Sequence, residues 1–114
     1  MKSIRFLFAL IVLSPVVPGA SLFAKEEVMT VGSVRPKGKV KAVDLPALAK
    51  ISFEQALKAA LGGAPGAVIK AELEIEDGNL VYSFEIVGSD KSITEVEIDA
   101  GTGKVLGKDK EKAD

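Results

Sequence analysis

A single change of hydrophobic period constrains this chain more than any other feature. Phe53, Ala56, Leu57, Ala60 and Leu61 recur at i, i+3, i+4, i+7 and i+8, whereas from Ile69 onward apolar and polar residues alternate. The first spacing lays one apolar stripe along a helix, and the second gives a strand one apolar face. Gly62-Gly63 and Pro65-Gly66 separate the two regimes and end the helix. Its start is equally marked. Ser52 followed three residues later by Gln55 makes a capping box, with Ile51 at the staple position before the cap.

Strand periodicity then predicts an antiparallel meander. Ile69, Ala71, Leu73 and Ile75 share one face of the first strand, with Lys70, Glu72, Glu74 and Glu76 on the other. Asp77-Gly78-Asn79 supplies a tight turn, and Leu80, Tyr82, Phe84 and Ile86 form the inward row of the second strand. A third strand runs from about Ser92 to Asp99 with Thr94, Val96 and Ile98 inward, and the glycines of Ala100-Gly101-Thr102-Gly103 turn the chain into a short last strand, Lys104 to Leu106. One helix followed by three or four such strands is an α+β arrangement, with the helix packed on one face of the sheet. Phe53, Leu57, Tyr82, Phe84 and Ile98 are the expected core, and the other face is expected to keep its carboxylates in water.

The flanks carry no such pattern. Lys2 and Arg5 precede the uncharged run from Phe6 to Leu13, which Ser14-Pro15 and Pro18-Gly19 interrupt before the small residues Ala20, Ser21 and Ala24. These are the parts of a secretory signal peptide, residues 1–24, with cleavage favoured after Ala24 and open after Ala20 or Ser21; an uncleaved anchor is the alternative. An exported chain, periplasmic or secreted, with no stable membrane insertion after cleavage is expected. Residues 25–50 read as a flexible leader in which Asp44, as N-cap, and Pro46 begin a helical turn. Residues 51–107 form the domain, and 108–114 a charged disordered tail.

Composition narrows function by exclusion. The chain has 15 Lys+Arg and 16 Asp+Glu, and two of the basic residues lie in the signal segment, so the remainder is acidic and no nucleic-acid partner is expected. There is no cysteine and no histidine. The usual general base, the thiol nucleophile and the common zinc ligands are therefore absent, and neither an enzyme nor a cofactor is expected. Gly101-Thr102-Gly103-Lys104 lacks the spacing of a phosphate-binding loop, having Ile98 and Val105 at the diagnostic positions.

Two charged groups stand out. No metal is expected, but Glu72, Glu74, Glu85, Glu95 and Glu97 form an alternative divalent-cation set, with Glu76 and Asp99 on the same face. Set against it is a solvated acidic face. Arg35, Lys37, Lys39 and Lys41 make a basic cluster, read as linker because Pro36 and Gly38 interrupt it.

Several stretches together resemble the PepSY domain, found in bacterial envelope proteins and in propeptides of thermolysin-like metallopeptidases. They are Lys50-Ile-Ser-Phe-Glu-Gln-Ala-Leu57, Pro65-Gly66, Ala71-Glu-Leu-Glu74, the strand Leu80 to Ile86 with Tyr82, and Val96-Glu-Ile-Asp-Ala-Gly-Thr-Gly-Lys-Val-Leu106. The resemblance implies a noncatalytic module whose partner is a protein, either a peptidase that it restrains or another envelope protein. It brings no shared set of functional residues.

Overall fold

The computed structural model describes residues 31–111. The expected signal segment, the start of the leader and the last three residues of the tail lie outside the described residues. A 3-10 turn, Ala42–Asp44, leads into the short helix α1, Leu45–Leu48, and then into α2, Phe53–Gly63. The strands β1, Ala67–Glu76, β2, Asn79–Val87, β3, Ile93–Asp99, and β4, Val105–Glu111, follow. They make one antiparallel sheet in the order β1-β2-β3-β4, so the fold is α+β, a helix packed on a meander. Among the described residues no helix is long and apolar enough to cross a membrane.

Local chemistry sets the ends of these elements. The Ser52 hydroxyl accepts from Gln55 N at 3.1 Å, and Gln55 Oε1 accepts from Ser52 N at 2.9 Å, so two orphan donors at the start of α2 are satisfied reciprocally. Asp44 precedes α1 but makes no side-chain cap, which departs from its expected role. Asp77 and Gly78, both at positive φ, form the two-residue β1–β2 turn, whose twist suits the paired strands.

α2 packs chiefly on β3, with β2 and β4 beside it. Ala56 and Ala60 are its fully buried residues, and their small size brings the helix close to the sheet. Beneath them lie Leu80, Phe84, Ile86, Val96 and Ile98, all at most 1% exposed, with Tyr82 at the edge of this core. The Tyr82 hydroxyl donates to Ile51 O at 3.0 Å, and the N–H groups of Lys50 and Ile51 donate to Ala100 O. The entry to α2 is thereby fixed to the β3–β4 turn.

Four expectations change. Phe53 is 44% exposed. Its ring lies across the edge of the core, 6.3 Å from Tyr82 in an edge-on arrangement and 5.7 Å from Phe84. Next, a bulge between Val68 and Lys70 makes Ile69 the unpaired residue, 55% exposed, and puts Val68 opposite Ile86. Ile75 is also exposed, because α1 rather than α2 packs on β1.

The charged tail is the third change: Lys108 to Glu111 belong to β4, which pairs with β3 as far as Ile93 opposite Glu111. Backbone pairing needs no apolar side chain, and Lys108 Nζ adds a bond to Gly63 O at the carboxyl end of α2. The fourth concerns the leader, whose residues 32–35 are bonded into the sheet end. Val34 O accepts from Leu80 N at 2.9 Å, and further on Leu45 is buried against the core.

Candidate functional site

Two regions outside the core carry chemistry: the sheet face turned away from α2, and the outer edge of β1.

Parity on the strands puts Glu72, Glu74 and Glu76 of β1, Ser83 and Glu85 of β2, and Glu95, Glu97 and Asp99 of β3 on the face away from α2. The expectation that these carboxylates stay in water holds for Glu72 and fails for those of β3. Glu95, Glu97 and Asp99 are 3%, 6% and 2% exposed. Cross-strand register decides which of them meet. Glu72, Ser83 and Glu97 stand in one row, and Glu74, Val81 and Asp99 in the next, so only short side chains on β2 separate the β1 carboxylates from β3. Carboxylate oxygens of Glu74, Glu76 and Glu97 lie within 4.8 Å of one another. Of the expected cation set, Glu74 and Glu97 are therefore brought together, with Glu76 as the third member. Glu72 pairs with Lys70 at 3.5 Å instead, and Glu85 lies opposite Glu95, whose carboxylate accepts from Ser83 Oγ.

Electrostatics follow from this crowding. Burial, reinforced by Glu76, Glu95, Glu74 and Asp77, pushes the Glu97 carboxyl up to about 8. Glu74 rises to about 7 through burial and the neighbouring Glu72, Glu76 and Glu95, and Glu95 also rises to about 7, chiefly through burial.

Asp99 behaves oppositely. Burial works to raise it, but hydrogen bonds from Thr102, Ser33 and Gly101 outweigh that and hold it below its ordinary value. It accepts from Ser33 N and Oγ at 3.0 and 2.7 Å and from Thr102 N and Oγ1 at 3.1 and 2.6 Å. Gly101 makes this possible, since a Cβ there would stand 2.0 Å from Ser33 Oγ; Gly103, at φ +84°, completes the turn. Asn79, at the same end of the sheet, does similar work, accepting from Gly32 N at 2.9 Å and from the Arg35 guanidinium. Arg35 thus leaves the expected basic cluster, while Lys37, Lys39 and Lys41 are exposed. Local pattern gave no sign of the roles of Ser33, Asn79 and Asp99, because the bonds that tie the leader to Asn79 and Asp99 span 44 to 66 positions of chain.

The second region is β1. Among the described residues no strand pairs with its outer edge, and Ala67 to Glu72 are all exposed. Val40, Ala42 and Leu45 lie beside Leu73 and Ile75, lining a shallow groove that continues this edge. β4, at the opposite edge, carries Lys108 and Lys110, and such charges discourage strand addition.

Comparison with curated proteins and with solved structures gave no match. Comparison with protein families matched residues 50–109 to PepSY, described as the peptidase propeptide and YPEB domain. The matched span takes in α2 and the sheet almost to the end of β4, more than half of the chain, and the chain therefore belongs to the PepSY family.

Proposed function

We propose that this protein is an exported, noncatalytic binding module that restrains a peptidase, or holds another envelope protein, through the outer edge of β1. Family membership supports a role connected with peptidases. The observation that carries the choice of surface is the exposed run from Ala67 to Glu72, apolar at Val68 and Ile69 and continued by the Val40–Leu45–Leu73 groove. An extended peptide added to such an edge gains main-chain hydrogen bonds, and a neighbouring apolar groove receives its alternate side chains. Backbone pairing demands no particular side chain from the module. This agrees with a family resemblance that brings no shared functional residues.

The test is titration of the purified protein into peptidases exported by the same cell, beside an Ile69→Lys variant. Reversible inhibition of at least one peptidase, weakened about tenfold or more by a lysine placed on the edge, is expected. Unchanged activity of every peptidase, with none retained on the immobilised protein, would remove the proposal.

A further inference from the structure

We propose that Glu74, Glu76 and Glu97 form a divalent-cation site with the character of a calcium site, on the sheet face turned away from α2. Three observations carry it. The oxygens of these side chains already converge to within 4.8 Å of one another. Glu97, only 6% exposed, aims a carboxylate at the other two, and among the described residues its Oε2 is fully buried and accepts no hydrogen bond. Leaving such an oxygen without a donor or a cation is costly, and buried polar atoms of folded proteins are rarely left so. Finally, Ser83 and Gly107 stand directly opposite Glu97 on the flanking strands, and neither carries a charge.

Spacing selects among cations. A calcium ion with contacts of about 2.3–2.6 Å can bridge two oxygens up to roughly 5 Å apart, or three equally spaced ones up to roughly 4.5 Å apart, and its loose coordination accepts water at the remaining positions. Magnesium, with contacts of about 2.0–2.1 Å and near-ideal octahedral geometry, requires the carboxylates to draw together. Glu72, Asp77 and Glu95 surround the three ligands with further negative charge. Burial and the neighbouring carboxylates push the Glu74 and Glu97 carboxyls up, as expected where negative charge is crowded.

The site is independent of the β1 edge contact and stands whether or not a peptidase binds. Its test is calorimetric titration of calcium into the chelator-treated, full-length chain as its cell processes it, at about pH 8, where most of the cluster is ionised. One equivalent is expected, with an affinity of about 10⁻⁴ to 10⁻³ M and a rise in melting temperature. Glu97→Gln should weaken binding about tenfold or more, and Glu54→Gln, on the helix, should leave it unchanged. Loss of fold does not confuse the result, because Glu97→Gln removes an unfavourable buried charge and should melt no lower than the parent. Absence of heat and of any melting shift at millimolar calcium would overturn the site, as would equal affinity in Glu97→Gln.

Discussion

Ser33 and Asp99, 66 positions apart, are joined twice: Ser33 N donates to Oδ1 at 3.0 Å and Ser33 Oγ to Oδ2 at 2.7 Å. The same carboxylate holds Thr102, so one buried side chain fixes both the β3–β4 turn and the segment that precedes the helices. Asp99→Ala should therefore cost about 2–3 kcal/mol and Ser33→Ala about 1 kcal/mol. The double variant should cost less than the sum, since both remove the same bonds. Denaturant melts of the four proteins measure the coupling; strict additivity would show that Ser33 is not held by Asp99.

The aromatic residues should separate by burial rather than by size. Phe84 is fully buried, so Phe84→Ala should cost about 3–5 kcal/mol, a large share of the stability of an ordinary domain. Phe53 is 44% exposed and retains an edge contact with Tyr82, so Phe53→Ala should cost only about 1–2 kcal/mol. Thermal melts rank the two directly.

Stability should peak on the acid side of neutrality. Glu74, Glu95 and Glu97 have folded values near 7, 7 and 8, above their unfolded value of 4.5, so between these limits the folded state binds more protons. Their contribution is complete below the unfolded value and is lost as pH rises through the folded ones. Asp99 runs the other way, stabilising above its unfolded value and losing that contribution as pH falls through its lowered folded value. In chelator the melting temperature should be highest near about pH 5 and fall toward about pH 8. Because water reaches part of the cluster, the fall should amount to roughly 1–2 kcal/mol. Glu97→Gln should flatten the alkaline side; a profile still rising from pH 5 to about 8 would contradict the burial of these carboxylates.

Much of this fold was legible because its cues are local. The Ser52–Gln55 box, the change of period after Gly62-Gly63, the Asp77-Gly78 turn and the inward row through Tyr82 and Phe84 each lie within a few residues, where periodicity and turn chemistry act. What escaped is decided elsewhere in the chain. No apolar alternation marks Lys108 to Glu111, which join β3 through backbone bonds alone. The bulge at Ile69 shifts that residue out of the row its parity assigns. Side-chain parity placed Glu74, Glu76 and Glu97 on one face, but the strand register brings them to one point, and the burial of Glu97 belongs to the folded face rather than to its neighbours in sequence.

The most direct measurement on the central proposal is amide hydrogen exchange of the protein alone and with a peptidase that it inhibits. Exchange should slow across Ala67 to Glu72 in the complex, because an added strand would pair with the outer edge of β1, while the amides of α2 should change little. Unchanged exchange along β1 together with new protection on α2 would contradict edge binding and move the contact to the helical face.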